Sequence, residues 1–236
     1  MIKGIYTVSR SMEYKVKNID VVANNLANIN TSGYKREVPF SEYMNDFGES
    51  QIRKISDQQQ GEIIQTSNPL DLAISGEGFF VVKNENGNAE LTRDGRFRLS
   101  DEGFLTDSAG KKVMGQNGSI NLDDTLFQNE SVILISSLGE IKINDKIIDQ
   151  ILVVKVDYPE ELERSSGSNF ILTEENYYRA EEKEFNISQG YIEESNTNPM
   201  LEMEAMIRLN KAYETSQKVI SALDQSMDHA NQMGKI

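Results

Sequence analysis

Few residues in this chain have the types and spacing to do chemistry. Gly76-Glu77-Gly78 begins like a phosphate cradle. Such a cradle needs a third glycine and a following helix, so that backbone N–H groups converge on the anion. Here the text runs on as Phe79-Phe80-Val81-Val82, which reads as a strand. Asp94, Asp101, Glu102 and Asp107 offer the oxygen ligands calcium takes, but lack the Asp-x-Asp-x-Asp-Gly spacing of a calcium loop. They lie next to or near glycines and read as turn residues. His229 is the only histidine and there is no cysteine, which excludes a thiol nucleophile, a Cys–His pair and a cysteine-built zinc site. Among 38 acidic residues, no two are singled out by spacing for glycoside hydrolysis. No catalytic constellation stands out, and no cofactor or metal is implied.

The elements that would position any site divide the chain in three. Residues 1–36 carry six Lys/Arg against two acids, and residues 199–236 carry four against five. The net charge of −14 therefore leaves −17 on residues 37–198. A chain so acidic is a poor partner for nucleic acid or an anionic membrane. With 236 residues it has ample length to bury a core. No apolar run approaches the roughly 20 residues that span a bilayer, so direct membrane insertion is not expected. MIKGIYTVSRSMEYKVKNID lacks the apolar stretch and cleavage site of a secretory signal. Any export is expected to proceed without a cleaved signal of that kind.

Both ends read as long amphipathic helices. Ile5, Met12, Ile19 and Leu26 fall seven apart at heptad position a, with Val8, Val22 and Ile29 at d and Lys15 as the exception. Gly33 is the expected stop. At the other end Met206, Tyr213, Ile220 and Met227 occupy a, with Leu209, Leu223 and Ala230 at d and Ser216 as the exception. Asn198-Pro199 reads as a cap followed by proline in the first turn. An ordinary core-facing helix explains either seam singly; two of matching length can pair with each other and keep other faces for neighbours. Asn24, Asn25, Asn28 and Asn30 crowd one helix end, and residues 21–34 hold no charged residue. Asparagine weakens a helix, because its amide competes for backbone hydrogen bonds. An uncharged polar face suits enclosure by copies or relatives, since it buries no unpaired charge.

Between the ends, short apolar runs alternate with Gly76-Glu77-Gly78, Asn86-Gly87, Asp94-Gly95, Glu102-Gly103 and Ala109-Gly110, which predicts successive hairpins. Further strands are expected around 131–135, 139–143, 150–156, 170–172 and 185–187. Segment 45–62, with its DQQQG, reads as a polar linker. The expected organisation is an N-terminal helix over 1–36, a linker over 37–67, a β-rich middle over 68–190 and a C-terminal helix over 191–236. The fold class is α+β.

GIYTVSRSMEYKVKNIDVV followed by ANNLANINTSGYKRE resembles the N-terminal motif of the flagellar basal-body rod and hook protein family. SNPLDLAISGEGFFVV, TRDGRFRLSDEGFLTDSAGKKVMG and GYIEESNTNPMLEMEAMIRLNKAYETSQKVI are similar to its middle and C-terminal blocks. The likeness covers nearly the whole chain. It implies a non-enzymatic axial component whose terminal helices pair as a coiled-coil inner domain, with the β-rich domain outside. It also implies export through the flagellar type III apparatus and helical polymerisation with copies and related rod and hook–basal-body proteins. The matching positions are Asn24, Asn25, Leu26, Ala27, Asn28, Asn30, Gly33, Tyr34 and Lys35, then Ser195, Asn196, Met203, Ile207, Ala212, Tyr213, Val219 and Ile220.

The short link between Tyr34-Lys35-Arg36 and Asn68-Pro69-Leu70, together with Glu194 to Pro199, looks more like the family's proximal rod type than its distal rod type. A rival from another class, a secreted acidic enzyme or carbohydrate-binding β domain with helical arms, leaves the two seams and the asparagine face unexplained.

Overall fold

The computed structural model describes residues 2–41, 52–122, 133–144, 146–159, 162–165, 167–172, 177–181 and 183–233. It is α+β: a helix at each end of the chain and a β-rich middle. Two compact units result. One holds residues 1–27, 37–54 and 198–236, the other residues 28–36 and 55–197.

The helical unit contains α1 (Ile2–Ala27) and α2 (Pro199–Met233). In α1 the seam residues Ile5, Val8, Met12, Ile19 and Leu26 are half-buried and Val22 is buried. In α2 the same holds for Met206, Leu209, Tyr213, Ile220, Leu223 and Met227, all half-buried. The helices run antiparallel side by side, since Lys15 reaches Ala212 while Asn25 reaches Glu202. The start of α2 is capped as the sequence implies: Met200 N and Leu201 N donate to Asn198 Oδ1 at 3.0 and 3.3 Å. No helix among the described residues is long and apolar enough to cross a membrane.

α1 stops at Ala27, six residues before the expected glycine. Asn28, Asn30, Thr31 and Ser32 offer side-chain oxygens that compete with helical bonding. Thr31 Oγ1 donates to Asn28 Oδ1 (3.2 Å) and Thr31 N to Asn28 O (3.1 Å), closing a turn. Ile29 therefore lies in that turn, off the helical seam. Gly33 follows at φ +64°, where a Cβ would lie 2.2 Å from the backbone N of Asp94.

In the β-rich unit, β4 (Leu72–Gly76) pairs antiparallel with β17 (Phe185–Gln189), and β3 (Ile63–Gln65) with β18 (Tyr191–Glu193). A nine-stranded sheet is built around β5 (Phe79–Lys83), flanked by β6 (Ala89–Thr92), β9 (Lys112–Gly115) and β14 (Val153–Val156). Three strands, β11 (Ile133–Ile135), β12 (Glu140–Ile143) and β13 (Lys146–Gln150), form a meander. The continuous apolar run of β5 is buried on both faces. Phe80 and Val82 join Leu72, Ile74 and Ile141 in one core, and Phe79 and Val81 join Leu91 and Phe170 in another.

Two turn readings change and three hold. Asn86-Gly87, Glu102-Gly103 and Ala109-Gly110 join strands that do pair: β5 with β6, β7 (Arg98–Leu99) with β8 (Leu105–Thr106), and β8 with β9. Gly76-Glu77-Gly78 instead carries the chain from the β4–β17 pair into the nine-stranded sheet. Gly95 is a place of close approach: Leu72 N donates to its carbonyl at 2.9 Å, and a Cβ there would lie 1.6 Å from Leu72 O. The expected linker over 37–67 contains β1 (Glu37–Ser41) and β2 (Ile52–Ser56), which pair, and β3; residues 42–51 lie outside the described residues.

Candidate assembly site

Two groups of side chains carry the sequence-marked positions, one in each unit. In the β-rich unit, Gly33, Tyr34 and Lys35 are buried. Lys35 Nζ lies 2.6 Å from Glu193 Oε1, with both side chains 1% exposed, and also donates to Gln59 O at 2.8 Å. The other oxygen of Glu193 faces Arg93 Nη1 at 3.3 Å. Gly61 N adds a bond to Glu193 Oε1 at 3.0 Å. One carboxylate thus holds two buried cations and a backbone donor. Burial, partly offset by Glu193, pulls both Lys35 and Arg93 below their ordinary pKa values.

Around this cluster the chain is tied down at several points. Gly33 N donates to Glu193 O (2.8 Å), and Arg164 Nη2 donates to Lys35 O (2.6 Å) with its guanidinium 4.4 Å from the centre of the Tyr34 ring. Asn196 Oδ1 accepts from Arg36 N at 2.7 Å, and its amide donates to Asp57 O and Gln59 O at 2.9 and 3.0 Å. Residues 57–61, read from composition as linker, are therefore stitched into this unit by bonds that composition does not reveal.

In the helical unit, the two seam exceptions meet each other. Lys15 Nζ donates to Ser216 Oγ at 2.5 Å and to Ala212 O at 3.2 Å, while Ser216 Oγ donates to Ala212 O at 3.0 Å. A polar pair at one level of an apolar seam penalises every other register. Asn25, expected on an outer face, is fully buried. Its amide donates to Glu37 O (2.9 Å) and Glu202 Oε2 (3.3 Å), and its oxygen accepts from Glu37 N (2.9 Å). Asn25 thus works inside the unit, a correction to its placement with the outward asparagines. Glu202, also buried, sits in the first turn of α2, where the helix dipole favours a carboxylate.

Asn24 and Asn30 are exposed and Asn28 is half-buried. Met203 and Ile207, at 49% and 56% exposure, lie on the outside of α2 with Met200, Leu201 and Val219, and α1 exposes Tyr6 and Val16. The family resemblance signalled Met203, Ile207 and Val219, but nothing in the sequence pointed to Glu193 or Glu202, whose burial depends on cations and amides distant in the chain.

The acidic turn residues behave as such. Asp94 Oδ1 accepts from Arg96 N at 3.0 Å, and Asp107 Oδ1 accepts from Ala109 N and Lys111 N at 2.9 and 2.8 Å. Among the described residues, no group of three or more His, Cys, Asp or Glu is placed to hold a metal ion.

Known families and proteins match these same segments. A model described as Flagella basal body rod protein matches residues 5–35. One for the Flagellar hook protein FlgE/F/G D1 domain matches 73–143, and one for the Flagellar basal body rod FlgEFG protein C-terminal matches 188–233. The flagellar basal-body rod protein FlgF of Buchnera aphidicola subsp. Schizaphis graminum is 30% identical, over 99% of this chain and 98% of its own. The chain belongs to the flagellar basal-body rod protein family.

FlgF of Mesorhizobium japonicum is 28% identical over 91% of this chain and 90% of its own. The rod protein FlgG of Buchnera aphidicola subsp. Baizongia pistaciae is 27% identical over 96% and 98%. Membership places this rod protein in the flagellar basal body as a structural component, among relatives named for structure and not for catalysis. Its buried ionic cluster takes one residue from each matched segment: Lys35 from the first, Arg93 from the second and Glu193 from the third.

Proposed function

We propose that this rod protein polymerises helically into the torque-transmitting shaft around the export channel, with α1 and α2 pairing as a coiled coil that neighbouring subunits enclose. The observation that carries the reading is the outward apolar set Met200, Leu201, Met203, Ile207 and Val219 on α2, with Tyr6 and Val16 on α1. These helices already use their seams, so the outer side chains need another partner. Burial at about 25 cal/mol per Å2 over repeated contacts outweighs the entropy of ordering the ends once subunits meet.

Delivery through the flagellar type III apparatus without signal cleavage is part of the same proposal. So is the proximal rod type, with the distal type as alternative; relatives of both the FlgF and FlgG names support that range. The proposed interface residues are the seam positions Ile5, Met12, Ile19, Val22, Leu26, Met206, Leu209, Tyr213, Ile220, Leu223 and Met227, together with Met203, Ile207, Asn24, Asn28, Ile29 and Asn30.

The test is Ile207→Asp combined with Met203→Asp in the full chain. Assembly is expected to need at least a tenfold higher protein concentration and motility to be lost, with thermal unfolding of the β-rich unit unchanged. Normal assembly and motility would remove the basis of the proposal.

A further inference from the structure

Asn or Asp precedes glycine at three places: Asn86-Gly87, Asp94-Gly95 and Asn117-Gly118. Each carries the same latent reaction. The glycine nitrogen can attack the neighbouring side-chain carbonyl carbon and close a five-membered imide, and glycine, lacking a Cβ, hinders that approach least. The structure treats the three steps differently.

Asp94-Gly95 is locked. Asp94 Oδ1 accepts from Arg96 N and Asp94 N donates to Thr92 Oγ1, both at 3.0 Å. Gly95 is pressed against Leu72, so the backbone has no room to turn its nitrogen toward the carboxyl. At Asn117-Gly118 the asparagine is exposed but held from two sides. Gly118 pairs with Gly115 where β10 (Gly118–Ser119) meets β9, and Asn117 Nδ2 donates to Asp149 Oδ1 at 3.0 Å. That carboxylate also opposes the negative charge that develops as the Gly118 amide loses its proton.

Asn86-Gly87 has neither restraint. Glu85, Asn86, Gly87 and Asn88 are all exposed at the tip that joins β5 to β6. Among the described residues, no hydrogen bond holds the Asn86 side chain. Gly87 N donates to Asn84 O at 3.0 Å, an exposed turn bond that water can replace. Below the tip, Asn84 N donates to Asn88 O (3.0 Å) and Asn88 N to Asn84 Oδ1 (2.9 Å). These bonds close the base, so the tip can change without unpairing the strands.

We propose that Asn86 is a self-modification site of the folded chain. Gly87 N bonds to Asn86 Cγ while water carries the amide proton to the departing Nδ2. The Cγ–Nδ2 bond breaks and ammonia leaves. A second water then opens the imide. Opening at Cγ gives aspartate; opening at the Asn86 backbone carbonyl gives isoaspartate, whose extra main-chain methylene lengthens the turn. One amide is exchanged for one acid with no oxidant or reductant, and the β-rich unit gains a negative charge at this tip.

The test incubates the full chain at neutral pH in heavy-oxygen water, folded and, separately, unfolded in urea. Each imide opening labels the new carboxyl. Cleavage after Lys83 and Arg93 puts Asn86 on one peptide, and cleavage after Lys112 and Lys142 puts Asn117 on another. Mass spectrometry reads both. In the folded chain Asn86 is expected to convert about tenfold faster than Asn117, the factor set by one hydrogen bond to a charged group. In urea the two should convert at similar rates. Asp149→Ala should bring Asn117 toward the Asn86 rate; the comparison of folded with unfolded wild type stands if that variant fails to fold. Folded Asn117 converting as fast as Asn86 overturns the assignment, as does an Asn86 that stays intact while the unfolded chain converts. The same tenfold ratio in urea overturns the structural cause.

Discussion

The two units bury polarity in opposite ways. The β-rich unit closes its apolar side chains into two cores and encloses a carboxylate with two cations, Lys35 and Arg93. The helical unit leaves most of its seam half-buried and turns Met200, Leu201, Met203 and Ile207 outward. Its polar contacts, Lys15 with Ser216 and Asn25 with Glu202, fix which residues meet more than they add to packing. A finished core needs no neighbour; a helix pair with apolar residues on its outer side does. Under the proposed assembly, the contrast divides the labour of a rod subunit, with a body that is complete beforehand and ends completed by neighbours.

The sharpest break in that comparison is Glu193→Ala. It leaves two buried cations without their carboxylate and is expected to cost the β-rich unit about 3–5 kcal/mol, read by denaturant unfolding. Second is Asn25→Leu, which removes three hydrogen bonds inside the helical unit and leaves Glu202 without that donor. A loss of about 2–3 kcal/mol is expected there by hydrogen exchange on assembled material, with protection in the β-rich unit unchanged.

Third, replacing the whole polar pair by Lys15→Leu with Ser216→Leu should raise the stability of the helix pair by about 1–2 kcal/mol. A spin-label distance between the helices should broaden at the same time, because the apolar seam no longer selects one register. An unchanged, narrow distance would show that register is set elsewhere.

The smallest effect is a pH slope. Burial raises the Asp94 carboxyl above its ordinary 3.8. The folded chain therefore keeps that proton to a higher pH than the unfolded chain does, and stability falls as pH rises through the interval between the two values. Asp94→Asn should remove that part of the slope in unfolding measured from pH 3 to 7.

Much of this division is legible in the sequence, and what is hidden has a physical reason. Heptad spacing marks both helices, and Asn198-Pro199 marks the start of α2, because periodicity and capping are local. The apolar run of Phe79–Lys83 and the alternating Glu140–Ile143 both show as strands between turns. The end of α1 is obscured because Leu26 and Ile29 keep the heptad spacing past the point where Asn28, Thr31 and Ser32 break the helix. Residues 57–61 pass for linker because their bonds run to Asn196 and Glu193, more than 130 positions away. Asn25 looks like its neighbours Asn24 and Asn28 in the text; only Glu37 and Glu202 distinguish it.

The most direct test of the division is hydrogen exchange by mass spectrometry on the full chain, first as dilute monomer and then as assembled material. Peptides from 1–27 and 199–233 are expected to exchange freely in the monomer and to gain protection on assembly, while 72–122 stays protected in both. Firm protection of both helices in the dilute monomer, unchanged on assembly, would contradict the account and show terminal helices that are complete without neighbours.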